Sequence, residues 1–264
     1  MEDHSADTFD ALAGRYDRLH FLQRSAERLV ELAGLRPGAR VLDVATGTGT
    51  VALAAARQLG PGAEVTGLDL SPGMLAQARQ KAPVQGAHLS FVEGDAARLP
   101  FEDTSFDALL CASALFFLPD MPAALREWRR VLAPGGTLGF SSFGAGLLRP
   151  LGGLWAECLT RHGLVPWRPS FARLQDPATC RALLTDAGLV GVRVAEKQLG
   201  YHLSPEARWR DIEAGLEAGS LQALSPEERA SIRDEHLAEL RAQAGPEGLW
   251  LDVPVLFTLG RAPG

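Results

Sequence analysis

The sequence predicts an α/β fold built on a doubly wound, mostly parallel β-sheet, and three features support this prediction. Five apolar, strand-like runs alternate with helix-like segments between Arg40 and about Ser142. Strand–helix–strand units of this kind close by right-handed crossovers and leave their strands parallel. The chain has 264 residues, of which 46% are hydrophobic and 22% charged, so a large core can form within one domain.

The first elements have clear boundaries. Residues from about 5 to 33 are predicted to form one or two amphipathic helices that end near Gly34. The run 41–44 is short and rich in β-branched and aliphatic side chains, as a buried parallel strand requires. A glycine turn follows it, then an alanine- and leucine-rich helix at 50–59, and then a second strand at 64–70.

The later elements continue this alternation until it breaks at a segment rich in glycine and proline, residues 144–175. Further strands are predicted at residues 89–96, 105–111, about 137–142, 190–199 and 253–259. Four helices are predicted to begin with a capping side chain followed by a first-turn proline, at Ser71-Pro72, Asp176-Pro177, Ser204-Pro205 and Ser225-Pro226. The last of these also has Glu228 in place for a capping box.

The turn after the first strand predicts a binding site for an adenosine cofactor. Gly47 and Gly49 allow the backbone to turn sharply and to approach a ligand closely. The helix that follows directs its N-terminal N–H groups toward the same place. Asp69 closes the second strand about twenty residues later, where a carboxylate can accept hydrogen bonds from a ribose diol.

Nicotinamide and flavin enzymes use a similar turn, but their fingerprint requires a third glycine where this chain has Ala52. The third strand also ends in an acid, Asp95, and a Pro134-Gly135-Gly136 turn leads into the fifth strand. As a set, these motifs resemble the class I S-adenosylmethionine (SAM) dependent methyltransferases. Within that family the chain looks closest to the branch that includes quinone-biosynthesis C-methyltransferases and many small-molecule methyltransferases.

The resemblance implies a seven-stranded, Rossmann-like sheet whose last strand in sequence runs antiparallel between the fifth and the sixth. It implies a single methyltransferase domain over residues 1–264, with N-terminal cap helices at 1–36. Two helical insertions, 144–176 and 204–248, would then form a lid or a substrate-binding region.

The resemblance also implies roles for individual residues. Asp43 and the turn would lie against the methionine portion of SAM, Asp69 would hold the ribose, and Asp95 and the Ala96 N–H group would meet the adenine. The implied cofactor-binding residues are Tyr16, Asp43, Ala45, Thr46, Gly47, Thr48, Gly49, Asp69, Leu70, Met74, Asp95, Ala96 and Ser113. Arg24 is a further candidate partner for the SAM carboxylate.

The sequence indicates less about the methyl acceptor than about the cofactor. Phe116-Phe117 stands where many relatives have a pair of histidines, and the insertions contain Trp155, Trp167, Phe171 and Trp209. These side chains either form an apolar lid over a hydrophobic small molecule or attach helices to the sheet. A general base is needed only if the acceptor must lose a proton. The candidates for catalytic work are Tyr16, His20, His162 and His202.

The composition of the chain indicates which kinds of binding partner to expect. The net charge is −6 and no basic stripe is present, so a nucleic-acid partner is not expected. The longest apolar run, 108–118, is too short to span a bilayer, and the acidic first residues contain no apolar run, so we expect neither a membrane span nor a secretory signal. Cys111, Cys158 and Cys180 lack metal-binding spacing and are expected to be buried thiols in a reducing cytoplasm.

Several alternatives remain open from the sequence. Transfer to oxygen is favoured, but transfer to carbon or nitrogen within the same fold is possible. A SAM-binding protein that does not methylate is a second alternative, and an NAD(P)-dependent oxidoreductase is a third. Either a monomer or a homodimer is compatible with the sequence.

Overall fold

A computed structural model of the chain describes residues 6–82, 87–166 and 170–264. Its centre is a seven-stranded sheet with the strand order β3-β2-β1-β4-β5-β9-β6. The strands of this sheet are β1 (Arg40–Val44), β2 (Glu64–Asp69), β3 (His88–Glu93), β4 (Phe106–Ala112), β5 (Leu132–Phe143), β6 (Val190–Gln198) and β9 (Pro254–Arg261). The sheet is parallel from β3 to β5, and β9 runs antiparallel to both β5 and β6. The predicted fold class, including the antiparallel last strand, is confirmed.

The helices pack on this sheet and above its carboxyl edge. They are α1 (Ala6–Leu12), α2 (His20–Ala33), α3 (Thr50–Leu59), α4 (Pro72–Lys81), α5 (Met121–Arg130), α6 (Leu151–Arg161), α7 (Pro177–Asp186), α8 (Pro205–Ala214) and α9 (Pro226–Gln243). Short 3₁₀ helices occur at Tyr16–Arg18, Leu115–Phe117, Ser170–Leu174 and Leu216–Leu221. No helix among the described residues is both long enough and apolar enough to cross a membrane.

The predicted helix starts are confirmed in atomic detail. The side chains of Ser71, Asp176, Ser204 and Ser225 each accept a hydrogen bond from the backbone N–H group three residues later. Ser225 and Glu228 complete the capping box. These caps satisfy N–H groups that have no partner within the helix, so they fix where each helix begins.

The sheet core is closely packed, as a sheet covered on both faces requires. Trp128, Phe140 and Phe257 are among its largest fully buried side chains. The three cysteines are buried and free, as expected. A rigid sheet of this kind holds the carboxyl ends of β1, β2 and β4 in fixed positions.

Two tryptophans of the insertions do not form part of a lid over the sheet edge. Trp155 on α6 and Trp209 on α8 contact each other edge to face, with ring centroids 5.8 Å apart. Together with Ile232 and neighbouring residues of α9 they form a separate hydrophobic cluster. Both tryptophans therefore attach helices to one another, and neither lines the cavity described below. Trp167 lies outside the described residues.

Two short strands, β7 (Tyr201–Leu203) and β8 (Leu249–Leu251), form a second sheet that the sequence analysis missed. They pair in antiparallel fashion, with Tyr201 opposite Leu251. A three-residue strand is too short to show a periodic pattern, so only the fold reveals this pairing. The pair frames the insertion that contains α8 and α9.

Candidate active site

A cavity of about 1060 Å³ opens at the carboxyl edge of the sheet. Residues at or just after the ends of β1, β2, β3 and β4 line one side of it, and parts of the N-terminal segment and of the stretch 165–173 line the other. Ligands of open α/β sheets bind at this edge. All the predicted cofactor-binding residues except Gly49 contribute to the cavity wall.

The turn after β1 has the left-handed backbone that the sequence predicts. The φ angles of Gly47 and Gly49 are +53° and +85°, and Ala45 also has a positive φ of +55°. A Cβ atom at Gly49 would lie 3.0 Å from the Cβ atom of Ala78, so a side chain there would be crowded as well as strained in conformation. A Cβ atom at Gly47 would meet no protein atom within 4 Å, and Gly47 lines the cavity. The backbone at Gly47 is thus open to a ligand.

Asp69 connects this turn to the second strand. Its Oδ2 atom accepts a hydrogen bond from the Gly47 N–H group at 2.7 Å, and its Oδ1 atom accepts one from the Ser71 N–H group at 2.9 Å. Burial raises the pKa of Asp69, and these backbone hydrogen bonds oppose that shift. Each carboxylate oxygen retains acceptor capacity for a further bond. A pair of ribose hydroxyls fits that capacity.

Asp43 is almost completely buried at the end of β1. Its Oδ2 atom accepts hydrogen bonds from the Thr46 hydroxyl (2.5 Å) and from the Ala52 N–H group (3.0 Å). Its Oδ1 atom is buried and makes no hydrogen bond within the described part of the chain. Burial raises the pKa of Asp43 to about 7. A buried acceptor without a hydrogen bond costs folding free energy. A ligand that supplies a hydrogen-bond donor or a positive charge to this oxygen would remove that cost.

The remaining predicted cofactor residues surround the same space. Leu70 is 53% exposed at the cavity wall, whereas Met74 is buried against α1. Asp95 follows β3, and its Oδ1 atom accepts a hydrogen bond from the Ala97 N–H group at 2.8 Å. Ser113 follows β4 with a positive φ of +56°, and its N–H group bonds to Ser141. The exposed side chain of Leu70, beside these polar groups, could pack against the face of a planar base.

The N-terminal segment is fastened over this edge by two aspartates that the sequence analysis did not assign to the site. Asp17 accepts a hydrogen bond from the Thr48 hydroxyl at 2.5 Å and pairs with Lys81 at 2.7 Å. Asp10 accepts hydrogen bonds from the Ser71 hydroxyl and from the Gly73 N–H group. Both aspartates stand in the same short run as Tyr16, and that proximity in sequence was the available signal.

Tyr16 lies between these two attachments and lines the cavity. Its ring contacts that of Phe9 edge to face, with centroids 6.4 Å apart. Burial, with added contributions from the negative charges of Asp69 and Asp17, raises the pKa of Tyr16 above its usual range. The phenol therefore stays protonated and can donate a hydrogen bond, but it is a poor general base.

The three predicted catalytic histidines lie away from the cavity wall. His20 begins α2, and His202 on β7 contacts Trp250 edge to face. His162, which follows α6, forms a hydrogen bond with Glu235 at 2.7 Å. Arg24 likewise donates to the carbonyl groups of Leu199 and Gly200, outside the cavity. A catalytic role for these histidines stays a prediction that their positions do not support.

His162 also belongs to a group of potential metal ligands with Cys158 and Glu235, whose ligand atoms lie within 4.8 Å of one another. Arg161 already pairs with Glu235 at 2.8 Å and also contacts Glu239. The guanidinium supplies the positive charge that these carboxylates need, so the cluster joins α6 to α9 as an ion-pair network.

The far half of the cavity has an aromatic wall. Phe116 and Phe117 are in contact with each other, with ring centroids 4.7 Å apart, and Phe117 contacts Phe9 at 5.4 Å. Phe171 is buried behind Phe116 in the sheet core. Arg173 lines the same half and donates to backbone carbonyl groups of the segment that carries these rings. The segment that follows β4 is therefore apolar where it faces the cavity.

Several known proteins are similar to this chain in sequence or in fold. A methyltransferase domain family matches residues 41–136. Nocamycin O-methyltransferase of Saccharothrix syringae is 30% identical over 275 residues, and the alignment covers 96% of both chains. The chain belongs to the methyltransferase family. This membership leaves the oxidoreductase alternative without support.

Other relatives match over a shorter region. The demethylmenaquinone methyltransferase of Thermus thermophilus is 46% identical over 136 residues, which is 49% of this chain and 61% of that protein. In these partial matches, the chain covers between 41% and 61% of the relatives' length. Among solved structures, the YcgJ protein of Bacillus subtilis has a TM-score of 0.60 at 22% identity, covering 91% of this chain and 99% of that one. That likeness concerns the fold alone.

Proposed function

We propose that this chain binds SAM in the cavity at the sheet edge and transfers the methyl group to an apolar small molecule, at an oxygen atom. The unpartnered, buried Oδ1 atom of Asp43 beside the open backbone of Gly47 is the observation that carries the proposal. A cofactor with a positive charge and hydrogen-bond donors satisfies that oxygen. The names of two relatives, nocamycin and malonyl-[acyl-carrier protein] O-methyltransferase, support transfer to oxygen.

In this proposal the cofactor half of the cavity works by binding and orientation. Asp43 and the turn from Ala45 to Gly49 hold the methionine portion, and Asp69 holds the ribose hydroxyls. Asp95, Ala96, Leu70 and Met74 enclose the adenine, and Ser113 lines the floor of the pocket. SAM supplies an activated methyl group on a sulfonium, so much of the rate can come from alignment of the two reactants.

The N-terminal segment closes the site against water. Asp10 and Asp17 attach it to α4 and to the glycine turn, which leaves Tyr16 over the cavity between them. Exclusion of water strengthens each electrostatic interaction with the cofactor. The Tyr16 hydroxyl would donate a hydrogen bond to the cofactor carboxylate or to the acceptor.

The acceptor half is formed by Phe9, Phe116, Phe117 and Val165. These side chains favour a hydrophobic acceptor over a sugar, a protein surface or a nucleic acid. A C- or N-methyltransferase and a SAM-binding protein without methylation remain the alternatives. The three free, buried cysteines support a reducing compartment such as the cytoplasm.

A label-transfer experiment tests the proposal. The purified protein is incubated with methyl-labelled SAM and an extract of the source organism, and the products are separated into small-molecule, protein and nucleic-acid fractions. We expect label in an organic-soluble small molecule, and less of it with an Asp69→Ala variant when SAM is below saturation. Label in a macromolecule, or no transfer despite tight SAM binding, would contradict the proposed function.

A further inference from the structure

Arg173 is the one cationic side chain among the described residues that line the cavity. Its Nη1 atom donates to the carbonyl oxygens of Phe116 (3.1 Å) and Leu118 (2.8 Å), and its Nη2 atom donates to that of Pro119 (3.1 Å). No carboxylate of the described residues forms an ion pair with it. The guanidinium is therefore positioned by neutral groups, and its charge has no counter-ion in that part of the protein.

A guanidinium has five N–H donors, of which these carbonyl groups use three. The two that remain can serve an acceptor in the cavity, because the Arg173 side chain is exposed there. A planar carboxylate matches the two-donor edge of a guanidinium better than any neutral group does. The three carbonyl contacts hold that edge in one orientation, so little side-chain freedom is lost when an anion binds.

The same half of the cavity contains no evident general base. Within the described lining residues there is no histidine, and the phenol of Tyr16 holds its proton tightly. The carboxylates Asp43, Asp69 and Asp95 lie at the ends of β1, β2 and β3, which is the cofactor half. The segment that Arg173 contacts follows β4, which lies on the opposite side of β1 from β2 and β3. An acceptor that arrives already ionised needs no base here.

We propose that Arg173 is a specificity-determining residue that binds an acidic oxygen group of the acceptor, so that the substrate is an apolar molecule carrying a carboxylate. This inference rests on the proposed function and extends it to the class of acceptor. The carboxylate pairs with the two remaining donors of Arg173, and one of its oxygens attacks the methyl carbon with a lone pair that this pairing leaves free. The new O–C bond forms as the C–S bond breaks, and sulfur keeps the electron pair. The carboxylate charge and the sulfonium charge cancel, no proton moves, and the product is a methyl ester.

Two probes that share one apolar skeleton isolate the contribution of charge. Anilinonaphthalene sulfonate is an anion, whereas phenylnaphthylamine is neutral, and both fluoresce when an apolar site binds them. Each is titrated into protein saturated with S-adenosylhomocysteine, using the wild type, Arg173→Gln and Arg193→Gln. Arg193 is the matched control, because it also donates to a backbone carbonyl group, that of Leu32 at 2.7 Å, but lies outside the cavity.

We expect Arg173→Gln to weaken binding of the anionic probe by about tenfold, as loss of one member of a close charge pair does, and to leave the neutral probe unchanged. Arg193→Gln should change neither. Equal loss of both probes would show that Arg173 only shapes the wall, and unchanged binding of both would show that it meets no anion; either result overturns the inference. Calorimetry with S-adenosylhomocysteine on the same samples keeps the proposed function separate, since failure of that binding would contradict the cofactor site itself.

Discussion

The Asp69 carboxylate accepts a hydrogen bond from the backbone N–H group of Gly47 at 2.7 Å. This contact ties the end of β2 to the turn that follows β1, so that one acidic side chain both shapes the turn and faces the cavity. Its other oxygen holds the N–H group of Ser71 ahead of α4. The cofactor half of the site is thus preorganised by the protein before any ligand binds.

Tyr16→Phe should lower turnover by about tenfold while the fold stays intact, since the change removes one hydrogen bond in a buried setting and little packing. The ring contact with Phe9 is retained in this variant. Steady-state rates and the thermal unfolding midpoint measure the two effects separately. Wild-type turnover in the variant would reduce Tyr16 to a packing residue.

Asp17→Asn should loosen the N-terminal segment, because it removes the charge that pairs with Lys81 and weakens the bond from Thr48. We expect faster trypsin cleavage at Arg15 and Arg18 and a weaker affinity for SAM, with a small change in stability because the pair is partly exposed. Limited proteolysis with and without SAM measures this.

Glu31→Gln is the matched control, since it breaks a similarly exposed ion pair, with Arg28, on α2. Equal protease sensitivity in wild type and Asp17→Asn would show that the Asp17 contacts do not fasten the segment.

Asp43 should make the stability of the protein depend on pH in a defined window. Its pKa is about 7 in the folded state, against about 3.9 for an unperturbed aspartate. The folded state therefore holds this proton more tightly, and the stability contributed by Asp43 is present below pH ~4 and lost as the pH rises toward 7. An asparagine at this position cannot ionise, so the variant should not lose stability in this way. The difference in unfolding free energy between Asp43→Asn and wild type should therefore shift in favour of the variant as the pH rises from about 4 to 7.

Denaturant unfolding at several pH values tests this pH dependence. Asp107→Asn is the control, because the stability that Asp107 contributes should depend on pH in the opposite direction. The side-chain hydrogen bond from Arg40 lowers the pKa of Asp107, so the stability from that group is lost as the pH falls. A constant difference between Asp43→Asn and wild type at all pH values would contradict the assigned shift.

The buried pair of Arg208 and Glu217 should contribute far more to stability than the exposed pairs do. Two hydrogen bonds of 2.9 and 2.6 Å join them, and only 1% of the Arg208 side chain is exposed. Glu217→Gln removes the hydrogen-bonded counter-ion of a buried arginine and leaves only the charge of the neighbouring Asp211, which costs about 3 kcal/mol. Urea unfolding measures it, and Glu206→Gln, which breaks the exposed pair with Arg241, should have no measurable effect. Similar results for both variants would contradict this account.

Much of the fold could be predicted from the sequence because its signals are local. The alternating strands and helices, the glycine turn and caps such as Ser71 and Ser225 each depend on a few neighbouring residues. Asp69 was predictable as part of the site for the same reason, since the strand before it sets its distance from the turn. These local preferences agree with the tertiary structure.

Contacts between distant segments could not be predicted. The role of Asp17 depends on Thr48 and Lys81, which lie 31 and 64 residues away along the chain. Trp155 and Trp209 are large apolar side chains of the kind that could form a lid, yet they pack against each other because α6 and α8 meet. A histidine such as His162 gives no local signal of whether it faces a cavity or an ion-pair partner.

Calorimetric titration of SAM into wild type, Asp69→Ala and Glu64→Ala tests the central claim most directly. Glu64 begins the same strand that Asp69 ends, so its change leaves the cavity intact. We predict one site on the wild type, unchanged binding to Glu64→Ala, and a loss of about tenfold or more, ~1.4 kcal/mol, in Asp69→Ala. Equal affinity in all three proteins, or no binding to the wild type, would contradict the assignment of this cavity to SAM.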